Sequence, residues 1–159
     1  MTTTTPSAAA NAVVTAPPLN PQALRLAYAG LVPFILGTAL VWLIGGRDLD
    51  QHTFVTTALS SYAALVISFL GCIYWGLAAR QTDPVSQHFV IGVIPSVVAW
   101  IGVLMPPYSG LVLHGAMLVA GYMIDRRFYP QLGVAAWLVP RFRLSAIAAF
   151  CCFLAAAGS

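Results

Sequence analysis

The chain has 159 residues, 60% of them apolar and only 7% charged, where an ordinary soluble domain carries roughly 25% charged residues. The charges are seven Arg with no Lys and four Asp with no Glu, a formal +3, and the arginines sit beside apolar runs. That balance excludes a disordered chain, a secreted disulfide scaffold and a nucleic-acid module, and it leaves a polytopic membrane protein of all-α class.

Residues 1–24 read as a flexible N-terminal tail. They carry no positive charge ahead of their weakly apolar patch, so they match neither a secretory signal nor an Arg-rich transit peptide. Pro17, Pro18 and Pro21 close the tail. Residues 25–159 then form a membrane domain of five spans, at about 26–46, 54–79, 89–105, 108–124 and 142–158, each close to the roughly 20 residues that cross about 30 Å of hydrocarbon. Met105-Pro106-Pro107 ends the third span and leaves too short a link for anything but an antiparallel neighbour. The fifth span is short, and Arg141 and Arg143 are expected to snorkel to the surface at its start.

Five crossings put Arg25, Arg80, Arg126, Arg127, Arg141 and Arg143 on the side of the N-terminus and only Arg47 on the other. The positive-inside rule then places the N-terminus in the cytoplasm and the C-terminus outside, in a bacterial inner membrane, or in a mitochondrial inner membrane if the source is eukaryotic. Gly30-Leu31-Val32-Pro33 and Gly92-Val93-Ile94-Pro95 open the first and third spans alike. This suggests a parallel repeat of two helical hairpins followed by one helix. Pro33 and Pro95 are also the expected helix breaks, each freeing a backbone carbonyl one turn earlier.

In the second span Ser60, Ala64, Ser68, Cys72 and Gly76 recur at every fourth position. Such a stripe is either a packing face against another helix or a polar pathway. Cys72, Cys151 and Cys152 lie in apolar runs without disulfide or zinc spacing. His114 is the ionisable side chain lying clearly within a span. It is either a core histidine bonded to a neighbour or a ligand or proton-exchange group, although a haem would need a second histidine at its depth and His52 is the candidate. Arg80 and Asp125 end parallel spans at one depth, so they either pair or stand as ordinary charged helix ends among anionic lipids. Trp42 and Trp100 mark one interface, Trp75 and Trp137 the other.

No nucleophile–base set, metal motif or phosphate loop is present in the sequence, so no catalytic, cofactor or metal residues are assigned. The ordered series Tyr28-Ala29-Gly30-Leu31-Val32-Pro33-Phe34, Ser68-Phe69-Leu70-Gly71 with Trp75-Gly76, Pro95-Ser96 with Ala99-Trp100, and Asp125-Arg126 resembles the DUF3429 family from Tyr28 to the fifth span. The resemblance implies a small helical protein of bacterial inner or mitochondrial membranes and supplies no mechanism. Where the family pattern often carries Gly and His this chain has Cys72 and Tyr74, so a metal or haem role does not carry over.

The expected function is non-enzymatic: an accessory subunit or assembly factor packing against a larger membrane complex, with lipids and a membrane protein as partners and no nucleic acid. The alternative is a carrier or binder of a lipid-like or small molecule in a cavity between spans one to four.

Overall fold

Short-range chemistry sets the helix ends. In the computed structural model, which describes residues 19–81 and 86–159, the Asn20 side chain accepts from the backbone N–H groups of Gln22 and Ala23 at 2.9 and 3.4 Å. Pro21 takes the first helical position, where a missing N–H is harmless, and helix α1 runs over Pro21–Ala29. Residues 21–24 of the expected tail are therefore helical, and residues 1–18 lie outside the described part. The helix stops at Gly30, and α2 (Val32–Ile44) restarts with Pro33 in its first turn. The Gly30 carbonyl, turned out of the helical ladder at this break, accepts from the Tyr62 hydroxyl at 2.9 Å.

Gly46, with φ +76°, allows the reversal into the second hairpin arm. Asp48 then caps α3 (Leu49–Ala78), accepting from the N–H groups of Asp50 and Gln51 at 3.0 and 3.1 Å. At 30 residues α3 is about 45 Å long and must tilt or project beyond the hydrocarbon. Helix α4 (Ser86–Leu104) turns at Met105 and Pro106 into α5 (Pro107–Phe128). A turn through Gly133 and a 3-10 segment, Ala135–Trp137, lead into α6 (Leu138–Ala157).

With α1 and α2 counted as one crossing, five helices among the described residues are long and apolar enough to span a membrane. The central member is α3, packed against α2, α4 and α5, while α6 closes the bundle against α5 and α2. Helical hydrogen bonding continues past the apolar runs, so α3 begins at Leu49, α5 continues to Phe128 and α6 begins at Leu138. Asp125 and Arg141 thereby fall inside helices rather than in a linker.

Two expectations change. The backbone breaks before Pro33, but α4 runs through Pro95 without interruption, so the two Gly-x-x-Pro motifs behind the suggested repeat adopt different conformations. The four-residue stripe is also not one face. Each step of four drifts about 40° around a helix, and while Ser60 and Ala64 are buried, Ser68 is half-buried and Cys72 and Gly76 are exposed. The buried line instead follows Ser60, Ala63, Ile67, Gly71, Tyr74 and Ala78, spaced by three and four. On it α3 and α4 come close together, because a Cβ on Gly71 would run into the Gly92 carbonyl of α4. A Cβ on Gly110 of α5 would likewise meet the Gly102 carbonyl of α4.

Candidate functional site

Two polar clusters join helices inside the bundle, apart from the single buried contact of the Thr38 hydroxyl with the Cys151 carbonyl. The first centres on His114 of α5, which is fully buried. Its Nε2 lies 3.1 Å from the Ala99 carbonyl, an acceptor, so Nε2 carries the proton and Nδ1 accepts from the Ser60 hydroxyl at 3.3 Å. Gly102 makes room for the ring, since a Cβ there would strike the imidazole. With both nitrogens engaged, His114 joins α3, α4 and α5. His52 lies against the Gly158 carbonyl at 3.1 Å instead, so the two histidines do not converge.

The second cluster is charged. Asp125, near the C-terminal end of α5, is 2% exposed, and Arg141, in the first turns of α6, is 8% exposed. Arg141 donates through Nε to Asp125 Oδ2 at 2.6 Å and through Nη1 to the Ser145 hydroxyl at 3.1 Å. The Tyr74 hydroxyl of α3 donates to Asp125 Oδ1 at 2.6 Å. Both carboxylate oxygens are thus satisfied and three helices are tied at one depth, the condition under which a buried charge pair is tolerated.

This corrects the expected pairing of Asp125 with Arg80, which is exposed beyond the end of α3. The neighbour of α5 at this depth is α6, and Arg141 turns inward instead of snorkelling. Arg141 and Arg143 are two residues apart, about 200° around the helix, so one faces the core while the other, Arg143, faces out. Tyr74 and Ser145 carried no signal of their own in the sequence. Beside them Tyr129, 3% exposed, packs against Tyr74 with ring centroids 6.1 Å apart. Burial, and after it the Asp125 carboxylate, raises the Tyr129 phenol above its ordinary value, so it stays a protonated donor. His88, at the start of α4, meets the Phe128 ring edge-on at 5.7 Å, and its buried Nδ1 has no hydrogen-bond partner among the described residues.

Against the charged cluster lies a cavity of about 690 Å³. Its walls come from α1 and the start of α2, from one side of α3, from α6 with the turn before it, and from Leu118 of α5. The cavity is formed mainly by spans one, two and five, with Leu118 of the fourth, and α4 does not line it. Leu26 of α1 and Leu65 and Phe69 of α3 line it while remaining 74%, 69% and 68% exposed, so its mouth opens between α1 and α3. Arg141, Ser145, Tyr129 and Trp137 gather at the end where α6 begins.

Five membrane-length helices among the described residues, with a buried ion pair and an apolar cavity open at one side, define a small polytopic membrane protein. The chain belongs to the family described as "Protein of unknown function (DUF3429)", whose sequence profile matches residues 19–157. It is similar to Transmembrane protein 69 of Xenopus tropicalis, 31% identical over 100 residues that make up 61% of this chain. The match covers only 37% of that protein's length. No solved structure matches the chain significantly.

Proposed function

We propose that this protein holds a lipid-like molecule within the membrane, in the cavity between α1, α3 and α6. The observation that carries the reading is the cavity itself. At about 690 Å³ it falls in the range of about 300–1,000 Å³ that encloses one small ligand, and it pairs apolar walls with a few polar groups at one end. The Arg141–Asp125–Tyr74 bonding supports it, because fixed polar groups at one end of an apolar chamber orient an amphipathic guest.

The competing role, an accessory subunit or assembly factor, would use an outward face such as that of α4, where Val93, Val97 and Trp100 are exposed. Acyl chains cover such a face as readily as protein does, so it gives that role no separate support. The arginine-rich end faces the cytoplasm, or the matrix in mitochondria, by the positive-inside bias. Labelling of single cysteines placed at Asp48 and at Arg126 in intact and opened vesicles tests that orientation.

The test of the binding role is photolabelling with an uncharged, diazirine-bearing alkyl alcohol, followed by peptide mapping. Adducts should concentrate on the α1–α3–α6 walls and be lost in Val66→Trp, which fills the cavity. They should persist in Val97→Trp, which adds the same ring to the outer face of α4. Uniform labelling of every lipid-facing helix, unchanged by Val66→Trp, would sink the proposal.

A further inference from the structure

We infer that the molecule held in the α1–α3–α6 cavity is an anionic amphiphile, an aliphatic chain ending in a carboxylate or phosphate head, with that head against Arg141. The inference rests on the cavity reading above and adds to it the charge of the guest.

The polar groups of the wall are donors gathered at one place. Arg141 has five N–H groups and no acceptor. It spends one on Asp125 and one on Ser145, which leaves others beside Tyr129. The Tyr129 phenol and the Trp137 indole are donors as well, and among the described residues the Trp137 N–H makes no hydrogen bond within the protein. Among the described residues Asp125 is the nearby acid, and each of its oxygens already accepts one hydrogen bond, from Tyr74 or from Arg141. At the other polar point of the wall, the Tyr62 hydroxyl is committed to the Gly30 carbonyl. A negatively charged head made only of acceptors uses this donor set in full, whereas an alcohol brings no charge to meet Arg141 and an ammonium sets a second positive charge beside it.

The surrounding field has the same sign. Arg25, Arg80, Arg126, Arg127 and Arg143 stand exposed at this end of the bundle, and the ion pair found among the described residues is the internal one of Arg141 with Asp125. The opposite end sets Arg47 against Asp48 and Asp50. A potential of that kind raises the local concentration of anions and repels cationic heads.

The test is native mass spectrometry of the full chain in an uncharged detergent, titrated with guests of matched chain and different head: palmitate, hexadecyl phosphate, hexadecanol and cetyltrimethylammonium. A second arm compares phosphatidylglycerol with phosphatidylcholine, which separates a bilayer lipid from a free fatty acid as the source of the anionic head. Anionic guests should bind about tenfold or more tightly than their uncharged or zwitterionic counterparts in at least one arm, the scale of a charge-assisted hydrogen bond. The Asp125→Asn/Arg141→Gln double variant should reduce that preference to near unity. Tyr129→Phe/Trp137→Phe, which leaves the ion pair intact, should weaken anion binding several-fold and provides the reading if the first variant fails to fold. Equal binding of all heads would overturn the inference and leave the cavity reading standing. Binding of none of them would remove both.

Discussion

Arg141 of α6 reaches Asp125 of α5 through Nε at 2.6 Å, and this contact clamps the last helical hairpin close to its turn. Both partners are buried, so removing one strands the other. Asp125→Leu or Arg141→Met alone should each destabilise the protein by about 3–5 kcal/mol, whereas the double variant should recover much of that loss, because a buried pair often does no better than well-packed apolar groups. Thermal retention of the monomer peak in detergent measures the cycle. Purely additive losses would show that the two side chains do not act as a pair.

The α3–α4 interface gives a sharper contrast. A Cβ on Gly71 would collide with the Gly92 carbonyl, and one on Gly76 meets nothing within 4 Å. Gly71→Leu is therefore expected to cost at least the 1–3 kcal/mol typical of overpacking, while Gly76→Leu should leave thermal stability nearly unchanged. Ile67, 3% exposed, belongs to the core, and Ile67→Ala should cost about 2–5 kcal/mol.

Tyr62 supports the helix break by bonding the Gly30 carbonyl. Tyr62→Phe keeps the ring, including its edge contact with Phe34 at a centroid distance of 5.2 Å, and removes only that bond. The expected loss is about 0.5–1.5 kcal/mol. It should be felt locally, as faster hydrogen exchange in α1 with α3 unaffected, and uniform acceleration through the bundle would refute the local role.

Ser60→Ala removes the donor to His114 Nδ1 and leaves a buried acceptor unmatched, which should cost about 1–3 kcal/mol. His114→Phe should cost at least as much, since Ser60 and the Ala99 carbonyl both lose their partner. A second-derivative ultraviolet or proton-exchange measurement on the purified variants, run beside thermal unfolding, separates repacking from a simple loss of fold.

Five spans were legible because hydrophobic length is a property of composition, and composition survives any detail of packing. The partner of Asp125 was not legible. Depth in the membrane admits both Arg80 and Arg141, and only the rotation of α6 about its axis, set by its contacts with α5 and α2, turns Arg141 inward. The stripe on α3 misled for a related reason: a run of small residues at intervals of four looks like one face on paper but winds around a helix that repeats every 3.6 residues. The cavity leaves still less trace, since its walls come from segments more than 100 positions apart, from Ala23 to Ala148.

The mouth of the cavity is framed by the exposed apolar side chains Leu26, Leu65 and Phe69, a surface that acyl chains would cover in a bilayer. On the proposed binding role, a guest would arrive there by diffusing in the plane of a single leaflet, without leaving the two-dimensional solvent in which it is already dissolved. Occupancy then follows the guest's mole fraction among the surrounding lipids, and its aqueous solubility does not enter. A protein filled in this way reads the composition of its own membrane.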